Sequence, residues 1–162
     1  MTTRDHTSHR VAGPRRSRGV ASVEFAIAAP LLVLTLLATA EIGRALVHYD
    51  TLSYSVRNAA RYVSMNAIDG TTGVVRLTDA TIANARNLTV HADRTGAGGR
   101  VLPNFLASQV TVVDAGNDNI RVTAVYPYQP MIGAVLPTFG LGTGPIPLAF
   151  TMRVAVTMRA IS

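Results

Sequence analysis

Cysteine is missing from all 162 residues, which rules out a disulfide framework, a thiolate metal site and a cysteine nucleophile. Lysine is missing too, and all fifteen basic residues are Arg. That absence reads as genome composition, because Arg-specific chemistry would not require Lys to vanish everywhere. Histidine is scarce and scattered: His6 and His9 lie in the polar start of the chain, and His48 and His91 stand far apart beyond it. None falls into an H-x-x-x-H or H-E-x-x-H pattern, so each reads as a solvated or interfacial ring. Thr95-Gly-Ala-Gly-Gly99 lacks both a helix-opening G-x-G-x-x-G context and a Walker lysine, which argues against a phosphate cradle. Asp114 and Asp118 flank a Gly-Asn pair, where turn chemistry accounts for them more simply than calcium ligation. No nucleophile, base and orienter come together in the pattern. The chain is read as a non-enzyme with no catalytic residue, no metal and no cofactor.

Charge is also unevenly spread. Of the net +6, most sits in residues 1–19, where Arg4, Arg10, Arg15, Arg16 and Arg18 face Asp5 alone. The rest of the chain is near balance, and no basic run interleaves with aromatics, so nucleic acid is not an expected partner.

Apolar surface is concentrated in one stretch. Val20 to Ala40 holds a single charge, Glu24, and a single proline, Pro30. At 1.5 Å per residue, about twenty helical residues cross a hydrocarbon core of roughly 30 Å. The Arg-rich flank before the run and Glu41 after it predict a cytoplasmic N-terminus and an extracytoplasmic C-terminal part. An uncleaved signal anchor is one reading, leaving a binding domain tethered to the membrane. A secretory signal peptide is another, with Ala38-Thr39-Ala40 as its small-residue cleavage site. The Arg15-Arg16 pair invites a twin-arginine reading, but Ser17, Arg18 and Gly19 fit that motif poorly.

Glu24 counts against a plain anchor or a discarded address. A carboxylate in a spanning helix costs about 2.5–3.5 kcal/mol at the bilayer centre and less near its edge, so it calls for a partner. The stretch Gly19-Val20-Ala21-Ser22-Val23-Glu24-Phe25 resembles a class III, prepilin-type signal. That resemblance implies a cytoplasmic-side peptidase cutting between Gly19 and Val20, with the apolar helix kept on the mature protein. It also implies that Glu24 pairs with the terminal amine of a neighbouring subunit. Two opposite charges partly offset each other's desolvation in low dielectric, whereas a lone one is strongly disfavoured.

The likeness extends further. Gly19 to Ala26, then Pro30-Leu-Leu, then Glu41-Ile-Gly-Arg44 resemble the N-terminal domain of TadE-like proteins, the pseudopilins of the tight-adherence (Flp) pilus. Arg57-Asn-Ala-Ala-Arg-Tyr-Val63 is similar to that family's Ala/Arg-rich helix, and Val125-Tyr-Pro-Tyr-Gln-Pro-Met131 with Leu136-Pro137 to its Tyr/Pro strand and turn. The eighteen residues before Gly19 make a longer leader than many of this type. By resemblance the partners are the prepilin peptidase, sibling pseudopilins, the Flp major pilin, the inner-membrane assembly platform and the lipid bilayer. The implied location is the bacterial inner membrane, crossed once.

Past the membrane, Ile42, Ala45, Leu46, Tyr49, Leu52, Val56, Ala59, Ala60 and Val63 recur at helical spacing. A helix from Val20 to Asn66 would reach roughly 70 Å, with a kink expected at Pro30. Glu41 and Arg44 are spaced for a local ion pair worth about 0.2–0.5 kcal/mol, and by resemblance Glu41 is also open as a subunit contact. A second helix is expected from Thr78 to Leu88, with Ile82, Ala85 and Leu88 on one side. Gln109–Asp114 and Asn119–Tyr128 alternate as strands around a turn at 115–118, and Leu148–Ala160 reads as a third strand. Tyr126 and Tyr128 around Pro127 are expected to stiffen a strand exit. The organisation expected is a leader at 1–19, a transmembrane helix at 20–40, its extramembrane continuation at 41–67 and a small domain at 68–162. The fold class is α+β: a long N-terminal transmembrane helix extending into a small extracytoplasmic domain with an antiparallel sheet of three strands or more.

Overall fold

The computed structural model describes residues 17–70, 74–136, 144 and 146–161. The basic leader up to Arg16, residues 71–73, residues 137–143 with Pro137 among them, Pro145 and Ser162 lie outside the described residues.

Helix α1 runs from Ser17 to Asn66. It is long and apolar enough to cross a membrane. Pro30 lies inside it and, lacking an N–H, leaves the carbonyl four residues back without its intrahelical donor. By compactness the chain divides into a unit ending at Leu36 and a unit beginning at Leu37. In the first, Val20, Val23, Phe25, Ile27, Leu32 and Leu36 are all exposed, so the helix presents apolar side chains all round, as a lipid- or helix-facing segment does.

The second unit is an α+β domain assembled on the later turns of α1. Leu52, Val56, Ala59, Ala60 and Val63 are fully buried there, while Arg57 and Arg61 face outward. The expected stripe is interrupted at its N-terminal end. Ile42, Leu46 and Tyr49 stay exposed at 63%, 60% and 47%, and the residue buried nearest them is Glu41. After Asn66 the chain turns back, with Ile68 bridging to Val75 and the Arg76 N–H donating to the Ala67 carbonyl at 2.6 Å.

Helix α2 spans Asp79–His91. The Thr78 hydroxyl accepts from the Thr81 N–H at 3.1 Å, an N-cap that satisfies one orphan donor, and Asp79 in the first turn complements the helix dipole. The helix closes on Ala92 in the left-handed region (φ 54), whose N–H reaches the Leu88 carbonyl. Its buried side is Thr81, Ala85, Thr89 and Val90, with Ile82 and Leu88 only half-buried. The stripe is thus rotated from the sequence reading. Thr89 tolerates full burial because its hydroxyl donates to the Ala85 carbonyl at 2.8 Å.

A short 3-10 turn at Ala107–Gln109 leads into strand β1, Val110–Gly116, followed by β2, Asn119–Tyr128. A small ribbon pairs β3, Val135–Leu136, with β4, Ile146–Pro147, before β5, Phe150–Arg159. The main sheet has the order β1-β2-β5 and is antiparallel throughout. Asn117 and Asp118 both take positive φ (52° and 60°) in a two-residue turn, the conformation whose twist suits a hairpin, and a bulge lies beside it between Asp114 and Gly116. Pro127 is tolerated in β2 because β1 pairs only as far as Ala124, so Pro127 has a neighbour on one side alone, at Thr151 of β5.

Strand periodicity puts Ile120, Val122, Ala124, Tyr126 and Tyr128 on one face, all buried. Opposite ends of this face are tied to opposite ends of the later part of α1, from Glu41 to Ser64. At one end the Ala160 N–H donates to the Asp118 carbonyl (2.7 Å) and the Ile161 N–H to the Ser64 carbonyl (2.9 Å). At the other, Tyr128 meets Glu41. The helical path from Ser64 to Glu41 covers roughly 35 Å, and the extended path from Asn119 to Tyr128 roughly 30 Å. Strand and helix therefore match in length.

Phe105 closes the core, fully buried, with its ring edge-on to Tyr126 at 5.7 Å. Phe105→Ala is expected to cost about 3–5 kcal/mol of stability, measured as a drop in the chemical-denaturation midpoint of the detergent-solubilised protein.

Candidate functional site

The features that set this domain apart converge at the start of its helix. Glu41, Arg44, Ala45 and His48 share one side of α1, three, four and seven residues on from the first. Glu41 is the single charged side chain among the buried residues described, at 6% exposure. The two-residue period of β2 brings Tyr126 and Tyr128 to the same place.

The Tyr128 hydroxyl donates to Glu41 Oε1 in a short hydrogen bond. The Met131 N–H, just beyond β2, lies 3.2 Å and 3.3 Å from the two carboxylate oxygens. Arg44 Nη1 lies 3.8 Å from Oε1, so the expected local ion pair is present, and its guanidinium carbon stands 5.9 Å from the centre of the Tyr128 ring. His48 fills the next turn, 5.4 Å from the Tyr128 ring edge-on and 6.0 Å from the Tyr126 ring. Its Nδ1 is buried without a hydrogen-bond partner. Tyr126 itself donates to the Pro103 carbonyl at 3.1 Å.

The electrostatics follow from this packing. Burial pushes the Glu41 carboxyl up, but the Tyr128 hydroxyl, the Met131 amide, Arg44 and the Ile132 amide together outweigh it, and the net shift is downward. The carboxylate is held ionised. Burial, then the hydrogen bond to Glu41 and its negative charge, push the Tyr128 phenol up to about 12, so it stays a donor. Burial and the nearby Arg44 charge lower His48 against the opposing pull of Glu41, which keeps its ring neutral. A fixed carboxylate with committed donors and a neutral ring make a latch rather than an acid–base pair.

Beside the latch, Ala38, Ile42, Leu46 and Tyr49 of α1 face Ile146, Leu148, Phe150 and Met152 across a groove of about 510 Å³. Its walls are almost wholly apolar, and Glu41 and Tyr128 form its floor without presenting charge to it.

The residues singled out in sequence divide between two places. Gly19, Val20 and Glu24 follow one another along one side of α1, lining a shallow concavity with Val23 and Ile27, and Glu24 is exposed. Glu41 and Arg44 belong to the latch. Tyr128, Met131 and His48 are the members that sequence reasoning did not bring to Glu41. The available signal was Glu41 standing in helical phase with the buried face, and Tyr128 in strand phase with Ile120 and Val122, where a buried hydroxyl needs an acceptor.

Tyr128→Phe is expected to cost about 1.5–3 kcal/mol, the range for a hydrogen bond to a charged group. In a double-mutant cycle with Glu41→Gln the two changes should be non-additive by about 0.5–3 kcal/mol. Additive losses would mean that the two side chains do not act as a unit. Both titrations here favour folding at neutral pH. His48 takes up a proton more readily when unfolded, so its contribution fades as pH falls below its ordinary 6.5. Glu41, lowered when folded, supplies stability present above its ordinary 4.5 and lost as pH falls through its folded value. Thermal midpoints of the full chain in detergent should therefore decline from pH 7 to 4, and His48→Gln should remove the part of the decline that begins near pH 6.5.

Comparison with known proteins adds one match, over α1. Residues 19–61 fit the family described as TadE-like protein. No curated protein and no solved structure matches the chain. The match takes in Gly19, Glu24, Pro30, Glu41, Arg44 and His48, and stops before Tyr128. From Gly19 to Arg61, through the membrane-capable helix and the helical half of the latch, the chain is similar to TadE-like proteins.

Proposed function

We propose that the protein is a pseudopilin-like component of a tight-adherence pilus machine, acting by helix–helix assembly. The observation that carries this reading is the extent of the family match, which begins at Gly19, the residue before the proposed cut, and continues through the whole apolar run. On this reading a prepilin peptidase cleaves between Gly19 and Val20 on the cytoplasmic side. The mature chain keeps residues 20–40 as its inner-membrane span, with the domain outside the cytoplasm. Glu24 then lies one helical turn beyond the new amine, on an exposed apolar helix, where it pairs with the amine of an adjacent subunit. Ala26, Ala28, Ala29, Ala38 and Ala40 allow close approach of neighbouring helices in lipid. The sibling pseudopilins and the Flp major pilin are the proposed neighbours, and the inner-membrane platform the proposed dock. The protein is a substrate of the peptidase and not a catalyst.

N-terminal sequencing of the membrane-extracted protein is the test. Val20 as the first residue is expected, and Gly19→Phe should leave the leader attached. An N-terminus at Glu41 would mean ordinary secretion, and an intact leader on the unaltered protein would mean a simple anchor. Glu24→Ala should insert normally yet lower the yield of crosslinks to partner subunits by about tenfold or more, because breaking a desolvated pair costs roughly 3–5 kcal/mol.

A further inference from the structure

The apolar groove and the loops beside it lie at the end of the domain where its part of α1 begins. Ala38, on the groove wall, belongs to the last turn of the apolar run that ends at Ala40. Met131 is hydrogen-bonded through its backbone to Glu41, the first residue past that run. Around it Met131, Ile132, Ile146 and Phe150 are exposed, at 79%, 36%, 52% and 51%. From Val122 to Met152 the sequence holds no Asp, Glu, Lys, Arg or His. Of the charged side chains of the sheet, Asp114, Arg121 and Arg159 lie toward its other end, where Arg159 stands 3.8 Å from Asp118, and Arg153, next to Met152 in β5, alternates onto the opposite face from it.

We propose that this end of the domain docks onto the leaflet from which the helix emerges, with Met131, Ile146 and Phe150 inserted among the lipid chains and the groove filled by them. The inference rests on residues 20–40 spanning the membrane. Contiguous apolar surface of this kind is disfavoured in water, and here the surface that can cover it is supplied by the chain's own anchor. An interfacial element buries its apolar face about 5–10 Å into the boundary. Tyr49 rises roughly 12 Å along the helix from Glu41, the level of the headgroups, where an aromatic ring with a polar tip is favoured. The latch makes this possible. By turning the Glu41 carboxylate inward to Tyr128 and Met131, it leaves no charge on the groove side at the depth where a charge would be expelled.

The absence of cysteine gives a direct test, because each introduced thiol is the only one to label. The full-length variants Met131→Cys, Ile146→Cys, Leu32→Cys and Asn117→Cys, labelled with an environment-sensitive fluorophore, are reconstituted into phosphatidylcholine–phosphatidylglycerol vesicles with brominated acyl chains. Labels at Met131 and Ile146, both exposed positions tolerant of substitution, should fall to about half or less of their emission in unbrominated vesicles, because the bromine-bearing chains lie within the 5–10 Å they penetrate. Leu32 reports the span and should be quenched; Asn117, in the turn at the far end of the sheet, should not. Quenching at Leu32 without quenching at Met131 and Ile146 overturns the docking while leaving the spanning reading intact. The same pattern with blue-shifted, protein-concentration-dependent emission at Met131 overturns it in favour of a second copy covering the groove. An unquenched Leu32 removes the spanning reading and the docking with it.

Discussion

The domain is organised around a buried carboxylate. An ionised Glu41 taken out of water without donors would be strongly destabilising, and three commitments make its burial tolerable: a phenol, a backbone amide and a guanidinium. Arg44 is local to the helix, whereas Tyr128 and Met131 stand 87 and 90 residues further along the chain. The start of the helix and the end of β2 are thereby fixed to each other. The aromatic packing of His48, Tyr126, Phe105 and Phe150 is arranged around that contact. Hydrogen bonding gives the contact a direction that hydrophobic burial alone would lack, since burial rewards many helix rotations almost equally.

The helix does two jobs with one sequence pattern, and its composition changes where the job changes. Up to Leu36 it exposes apolar side chains on every side, with Glu24 as the one acid among them, a surface suited to lipid and to other helices. From Leu52 onward it is two-faced, with alanines at 59 and 60 letting the core close tightly over it. Between these lies a stretch that belongs to neither pattern: Ile42, Leu46 and Tyr49 are apolar yet uncovered, while the acid is hidden.

Much of this was legible in the residues, and the limits of legibility are physical. α1 could be read because a helix is a local structure whose period is written into neighbouring residues, and β2 because strict alternation ran for its whole length. The ribbon of β3 and β4 was not visible, since two residues carry no period. The rotation of α2 toward Thr81 and Thr89 was missed because threonine counts as polar until its hydroxyl finds a carbonyl one turn back. The latch was hidden for another reason: Glu41 and Tyr128 are distant in sequence, and no local pattern says which buried hydroxyl meets which buried acid. Glu24, the one acid of the apolar run, is exposed.

The length match between β2 and the later part of α1 has a consequence for how this domain can change. A helix advances 1.5 Å and turns 100° per residue, whereas a strand advances about 3.3 Å and reverses face. Fastened at Ser64 and again at Glu41, the two elements behave like rulers of different gradation laid edge to edge. One residue inserted between those points in the helix would carry Glu41 round to the wrong side. One inserted in β2 would turn Tyr128 outward. Substitutions can accumulate along either element, but their lengths are bound to each other, and only a compensated change in both would keep the two ends in register.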